Sequence, residues 1–269
     1  MNILLNFVII FVLLYFAFKF HVLAGIAVLV ILGIIGYISN YPRLMAGRAN
    51  AEFLKKNYDL AFKYYKKAYK SNHRKYNVDI SYAQALLRVG KPEESLEVLN
   101  KIMVLPLKKE MRRPATMVRC MVKYRLGMLD EAYEEAVEIF EDGYVNSNMY
   151  SIIGLFMHEK GESADKVLEF CEKAYDFNAD NRDIVDNLLL CYIKTKNAQK
   201  AISLGSELTE KYPQFIEGWF HLAQAYLLGE NYEEAKRAFE KIKDCERSYL
   251  TTVSQAEIDD LYTKLNKEC

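Results

Sequence analysis

The sequence lacks the short motifs that mark common catalytic and cofactor sites. It has no glycine-rich phosphate loop and no G-x-S-x-G elbow, and none of its four histidines has a second histidine at metal-ligand spacing. His158-Glu159, for example, lacks the histidine four residues after the first that a zinc-hydrolase helix needs. We therefore expect a protein without enzymatic activity and without a cofactor.

Paired cysteines are also missing. The five cysteines are odd in number and show no C-x-x-C spacing: Cys120, Cys171, Cys191, Cys245 and Cys269. This usage is typical of a reducing cytoplasm and gives no reason to expect a metal site. We interpret the first three as small apolar residues of the core, and Cys269 as an exposed terminal residue.

Acidic residues are absent before Glu52, and residues 3–38 are almost entirely apolar. One helix of this length would extend about 54 Å, whereas the hydrocarbon layer of a membrane is about 30 Å thick. Two helices fit better, at about residues 2–18 and 22–39, with the three residues between them as the turn. Residues 1–41 are therefore predicted to be a two-pass membrane anchor.

Two other interpretations of this segment stay open. A single span over residues 22–41, with the first segment lying in the membrane interface, would put the N-terminus on the opposite side. A cleaved signal peptide is the other, but the first 18 residues carry no Lys or Arg, and the apolar run continues beyond any plausible cleavage site.

Charge is distributed unevenly after the apolar segment. Residues 42–75 carry ten basic side chains against Glu52 and Asp59, a net charge of +8, whereas the 194 residues that follow carry 25 basic and 34 acidic side chains. Because basic residues that flank a span stay in the cytoplasm, the rest of the chain is expected on the cytoplasmic face of the cell membrane. With two spans, the N-terminus is expected there too.

We refer to eight of these basic residues as the basic patch: Arg43, Arg48, Lys55, Lys56, Lys63, Lys66, Lys67 and Lys70. They either fix the topology and solvate a helix surface, or also contact anionic lipid headgroups. Nucleic-acid binding is not expected, because the stretch is next to the membrane and the remainder is acidic.

A pattern recurs about every 34 residues after the apolar segment. The units begin at Pro42, Tyr76, Arg113, Asn148, Arg182 and Ile216. Position 20 of each unit holds a small residue, which lets two helices approach closely: Ala61, Ser95, Ala132, Val167, Ala201 and Ala235. Near position 15, where the chain must reverse, lie Lys56, Gly90, Gly127, Lys196 and Glu230, with Gly161 one residue early in the fourth unit.

The sixth unit is the most complete. Trp219, Leu222, Ala223, Tyr226, Ala235 and Phe239 reproduce the pattern W-x2-L-G-x2-Y…A-x3-F, with Ala in place of Gly. The chain thus resembles the tetratricopeptide-repeat family. The resemblance implies stacked helical pairs whose concave face binds other proteins.

The last segment predicts a helix that closes the array. Ser254 and Glu257 form a possible capping box, and Ile258, Leu261, Tyr262 and Leu265 make one apolar stripe. No sustained alternation of apolar and polar residues predicts a strand. The expected fold is all-α: a transmembrane helical hairpin, a right-handed α-solenoid of about six helix pairs over residues 42–252, and a capping helix and tail at 253–269.

The resemblance also implies which residues line the groove, at first-helix positions 2, 5, 9, 12 and 13. We refer to the following as the groove residues: Asn77, Ile80, Gln84, Arg88, Met117, Met121, Tyr124, Arg125, Ile152, Phe156, Leu190, Lys194, Phe220 and Gln224. Such a face suits an amphipathic helix or an extended peptide.

The leading hypothesis is therefore a membrane-anchored scaffold that recruits an unidentified protein through this groove. A second hypothesis is a self-assembling structural protein of the membrane surface, in which copies of the chain contact one another and lipid. A third is an accessory subunit of an envelope or secretion complex, whose spans contact a partner within the bilayer.

Overall fold

A computed structural model describes residues 3–71 and 75–267. Over these residues the chain forms fourteen α-helices and one short 3-10 helix, and no strand. His73, Arg74 and Cys269 lie outside the described residues. The chain divides into two compact units, Met1–Tyr82 and Ala83–Cys269, which are described separately below.

The N-terminal unit starts with two helices in contact with each other, α1 (Ile3–Phe20) and α2 (Val22–Leu54). Between them, the ring of His21 accepts a hydrogen bond from the backbone N–H of Leu23 over 3.1 Å, which satisfies one free donor at the start of α2. At Gly25 a Cβ atom would lie 2.3 Å from the ring of Phe18, so the hairpin requires glycine there.

Among the described residues, α2 is the one helix that is long and apolar enough to cross a membrane. Its most apolar window has a mean hydropathy of 2.6, and only 6% of that window is buried. The matching apolar stretch of α1, Phe7–Phe20, is shorter.

The second apolar segment and the first repeat helix form one continuous helix. α2 passes through Pro42 and ends at Leu54, so the predicted boundary between residues 41 and 42 lies inside a helix. The part after Pro42 buries Met45 and Ala46 together with Ala68 of α3 (Tyr58–Tyr69). This packing holds the helical conformation even though proline removes one backbone donor.

The C-terminal unit consists of successive helical hairpins. After α4 (Tyr76–Arg88), which contains the division between the units, the helices are α5 (Pro92–Met103), α6 (Lys109–Arg125), α7 (Leu129–Glu141), α8 (Ser147–Glu159), α9 (Ala164–Phe177), α10 (Arg182–Lys194), α11 (Ala198–Lys211), α12 (Ile216–Leu228), α13 (Tyr232–Lys241), the 3-10 helix Ile242–Asp244 and α14 (Gln255–Lys267). Each helix from α5 to α13 contacts the next, and α8, α10 and α12 also contact one another in order. This stacking is that of a tetratricopeptide-type solenoid.

Helix starts agree with several unit starts derived from the repeat. α4, α10 and α12 begin at Tyr76, Arg182 and Ile216. α6 begins four residues before the start at Arg113, and α8 begins at Ser147, one residue early. The third and fourth units are therefore the irregular ones.

The chain reverses through a left-handed backbone at every predicted turn position. The φ angles are positive in all six: Lys56 (61°), Gly90 (77°), Gly127 (79°), Gly161 (67°), Lys196 (58°) and Glu230 (59°). This prediction is confirmed. Gly143, with a φ of 88°, is a further left-handed residue between α7 and α8.

The small residues at position 20 are buried as expected. Ala61, Ala132, Ala201 and Ala235 have no exposed surface, and Val167 is 3% exposed. Ser95 is also fully buried, and its hydroxyl donates to the backbone oxygen of Ala83 over 2.7 Å, because a buried hydroxyl needs a partner.

α14 closes the C-terminal end. The backbone N–H of Ser254 donates to Glu257 Oε2 over 2.7 Å, and the N–H of Glu257 donates to Ser254 Oγ over 3.2 Å, which confirms the capping box. Three residues of the predicted stripe, Ile258, Leu261 and Leu265, are buried with residues of α12 and α13.

Candidate interaction groove

The first helices of the C-terminal unit place many of the groove residues at or near the surface. Gln84, Arg88 and Lys194 are exposed, and the following are half-buried: Met117, Met121, Tyr124, Arg125, Leu190 and Gln224. In the N-terminal unit, Asn77 is exposed and Ile80 is 8% exposed.

Four groove residues are in the core, the first being Ile80 of the N-terminal unit. Phe156 has no exposed surface and packs against Tyr124, with ring centroids 5.3 Å apart, while Ile152 and Phe220 are 9% and 4% exposed. Phe156 faces inward because α8 begins one residue earlier than the repeat register placed it. With that shift, Leu155 takes the groove position that Phe156 was given. Ile152 occupies the fifth position of its unit, which is also buried at Ile80 and Phe220, in helices that begin at their unit starts.

The chain's own C-terminal part occupies one end of this face. We refer to residues 245–254, between the 3-10 helix and α14, as the connecting segment. Arg125 of α6 donates to the backbone oxygen of Thr251 over 3.5 Å, and its guanidinium stacks 4.7 Å from the centre of the Tyr249 ring. The backbone N–H of Thr252 donates to Oε1 of Glu217, on α12, over 2.8 Å. The segment thus spans first helices three repeats apart.

A cavity of 380 Å³ remains beneath the connecting segment. Met121, Leu155 and Phe215 supply apolar surface, and Asp186 and Glu217 supply acidic groups. A second cavity, of 530 Å³, lies between α12 and α14, where Phe220, Gln224 and Leu261 contribute to its lining. The C-terminal half of the predicted groove is therefore narrowed by the chain itself.

A buried ion pair lies at the acidic end of the first cavity. Nδ1 of His221 donates to Oδ1 of Asp186 over 2.7 Å. Burial alone would lower the pKa of His221, but the Asp186 carboxylate, with Glu217 and Glu257, outweighs burial and raises it. Burial raises the pKa of Glu217, although the hydrogen bond from the backbone N–H of Thr252 acts to lower it.

All eight residues of the basic patch lie in the N-terminal unit and are exposed. They are on the last part of α2, at the turn that follows it, on α3 and, for Lys70, directly after α3. Lys55 pairs with Glu52 over 2.9 Å, and Lys67 lies over the ring of Tyr64. Most of the positive charge at this surface is therefore not neutralised by its two acidic neighbours in the sequence, Glu52 and Asp59.

Comparisons with known proteins agree with this architecture. The sequence profile of the tetratricopeptide repeat matches residues 216–244. No curated protein shares detectable sequence similarity with the chain.

Solved structures resemble the chain in fold. A tetratricopeptide repeat protein from Parabacteroides merdae is 13% identical, with a TM-score of 0.59 over 85% of this chain and 86% of that one. Pseudomonas aeruginosa PilF is 13% identical, with a TM-score of 0.62 over 84% and 99%. The Cut9–Hcn1 hetero-tetramer of the APC/C matches with 12% identity and a TM-score of 0.68, over 82% of this chain and 42% of the other.

Proteins of this fold are typically non-catalytic scaffolds for protein–protein interaction. The sixth unit matches the repeat profile, and the helical hairpins share the fold of solved repeat proteins. The chain therefore carries a tetratricopeptide repeat at residues 216–244, and its helical hairpins have the fold of tetratricopeptide-repeat proteins.

Proposed function

We propose that the chain is a membrane-anchored scaffold on the cytoplasmic face of the cell membrane, where its groove binds an extended segment of a partner protein. The observation that carries the groove part of the proposal is the connecting segment. This segment supports the proposal because it is a non-helical peptide held through its backbone by Arg125 and Glu217 and through an aromatic ring by Arg125. A partner segment of similar chemistry would displace it or extend beside it.

The exposed part of the groove gives such a segment room to bind. Gln84, Arg88 and Lys194 offer exposed polar side chains. Met121 and Leu190 offer partly exposed apolar surface. An extended peptide needs this combination, because polar groups bind its backbone and apolar pockets select its side chains.

The anchor is supported by exposed apolar surface on α1 and α2. Phe11 is 78% exposed, Phe20 is 87% exposed and Leu23 is 69% exposed. In water such a contiguous apolar surface is unfavourable, whereas in lipid it is the normal exterior. We propose that both helices cross the membrane and that the basic patch holds the repeats on the cytoplasmic side, against anionic headgroups.

The groove proposal is tested by photo-crosslinking in the native cell from residues Gln84, Met121 and Lys194. The matched control is Glu134, which is exposed on the second helix α7. One abundant foreign protein captured from the groove residues and not from Glu134 is the expected result. Crosslinks only to the protein's own peptides would favour the self-assembling structural protein, and equal capture from all four positions would contradict the groove.

The topology is tested separately with reporter domains fused to each end of the full chain. Two spans predict that both ends are inaccessible to protease added outside intact cells. An N-terminal reporter cleaved from outside while the C-terminal one is protected would establish a single span instead.

A further inference from the structure

Outside the groove, the structure brings three donor residues together in the core of the C-terminal unit. His158 lies at the end of α8, Cys171 on α9 and Cys191 on α10. One ring nitrogen and the two sulfurs all lie within 4.8 Å of one another, and the residues are 8%, 1% and 2% exposed. From the sequence both cysteines are expected in the core, but no local pattern indicates that His158 meets Cys171 of its own repeat and Cys191 of the next.

The spacing of these donors suits a metal ion. Metal–sulfur distances of about 2.3 Å and metal–nitrogen distances of about 2.0–2.1 Å place the donor atoms of one ion roughly 3.5–4 Å apart. Nε2 of His158 is already 3.6 Å from Sγ of Cys191. For all three donor atoms to bind one ion at these distances, the side chains need to move by about 1 Å or less.

When no metal is bound, two hydrogen bonds define which ring nitrogen of His158 carries the proton. Nε2 of His158 carries its proton and donates to the backbone oxygen of Asn187 over 2.9 Å, because a carbonyl only accepts. Nδ1 then accepts from Nζ of Lys194 over 3.2 Å.

We propose that His158, Cys171 and Cys191 bind one monovalent soft cation, Cu(I). Two thiolates and an imidazole are soft and borderline donors of the kind that Cu(I) prefers. A structural Zn(II) site almost always has four ligands, whereas this set offers three.

Cu(I) binding displaces the protons of both thiols, because the thiolate is the form that binds a metal. The imidazole proton moves from Nε2 to Nδ1, and Lys194 keeps its contact with the backbone oxygen of His158, at 3.5 Å.

The test is a titration of the full chain, purified in mild detergent under reducing, oxygen-free conditions, with Cu(I) in competition with a coloured Cu(I) chelator. We expect one Cu(I) per chain. Cys171→Ser and Cys191→Ser should each weaken binding by at least about 100-fold, because even residues that only support ligands contribute 10- to 100-fold. Cys120→Ser is the matched control: Cys120 is a fully buried cysteine of the same core, and its replacement should leave binding unchanged.

A second measurement does not depend on how well a variant folds. X-ray absorption at the copper edge of the unmodified chain should show two sulfur neighbours and one nitrogen neighbour. The proposal is overturned if copper is not bound, if it is bound equally by the Cys171→Ser chain, or if the edge shows only oxygen and nitrogen. Tighter binding of Zn(II) than of Cu(I) would overturn the assignment of the ion.

Discussion

The two units of this chain expose different amounts of similar apolar side chains. On α1 and α2, large apolar residues such as Phe7, Phe11 and Ile31 are 68%, 78% and 55% exposed. In the C-terminal unit, Phe156 and Leu189 have no exposed surface. Both units are built from helical hairpins, so the difference does not come from the local fold. An exposed apolar surface on the first hairpin is what the proposed membrane anchor requires, whereas the later hairpins bury their large apolar side chains.

The largest effect is expected when one phenylalanine is replaced in each unit. Phe156→Ala should reduce the stability of the repeat array by about 3–5 kcal/mol, because it removes a fully buried ring and leaves a cavity. Phe11→Ala, at a residue that is 78% exposed, should leave that stability unchanged. Urea unfolding in detergent, followed by circular dichroism, measures both. Equal losses would show that α1 is packed in a core after all.

The next test introduces a charge into each unit at an exposed apolar residue. Ile31→Lys should impair membrane insertion, since a lysine at the centre of a transmembrane helix costs about 2.5–3.5 kcal/mol. Val104→Lys, at a residue that is 84% exposed in the C-terminal unit, should change stability by less than about 0.5 kcal/mol. Protease protection of the C-terminal reporter measures the first, because α1 alone could still hold the chain in the membrane, and unfolding measures the second. Unchanged protection of that reporter in the Ile31→Lys chain would contradict the assignment of α2 as a span.

Two glycines in the C-terminal unit separate turn geometry from docking of the connecting segment. Gly90 and Gly127 have φ angles of 77° and 79°, so alanine at either position should cost about 1–2 kcal/mol. A Cβ atom on Gly90 would also lie 3.0 Å from the ring of Tyr249, whereas one on Gly127 meets nothing within 4 Å. Gly90→Ala alone should therefore loosen the connecting segment.

Hydrogen exchange of residues 245–254 measures this difference. Faster exchange is expected in Gly90→Ala and native-like exchange in Gly127→Ala. The same rate in both variants would mean that the contact with Tyr249 does not hold the segment in place.

Much of the fold follows from the sequence because the repeat is a local pattern. Turn residues and small residues at fixed spacing specify each hairpin, so Lys196 and Glu230 could be placed in left-handed turns although neither is glycine. The groove residues were harder to predict from the sequence, because which residues line the groove depends on the register of each helix. A shift of one residue rotates a helical residue by about 100°, and this moved Phe156 into the core. The sequence signal for this shift was the turn residue Gly161, which stands one residue earlier in its unit than the turn residues of the other units.

Features that join distant segments could not be derived from the sequence. Tyr249 and Thr251 reach Arg125 across more than a hundred residues, and His158 meets Cys191 from the preceding repeat. Neither contact leaves a local pattern, because each depends on how successive hairpins stack. The continuous α2 was missed for a related reason: Pro42 is a local signal for a helix start, but packing against α3 keeps the helix intact.

The smallest effect on stability is expected when a left-handed turn residue with a side chain is replaced by glycine. Lys196 holds a φ of 58°, which costs a side-chain-bearing residue about 1–2 kcal/mol, whereas glycine loses about 0.5–1 kcal/mol of extra chain entropy on folding. Lys196→Gly should therefore stabilise the array by about 0.5 kcal/mol. Glu207→Gly, on an exposed position inside α11, should instead destabilise it by a similar amount, because glycine is a poor helix former. Opposite shifts of the unfolding midpoint are expected. A loss of stability in both variants would show that Lys196 contributes contacts worth more than the strain of its turn.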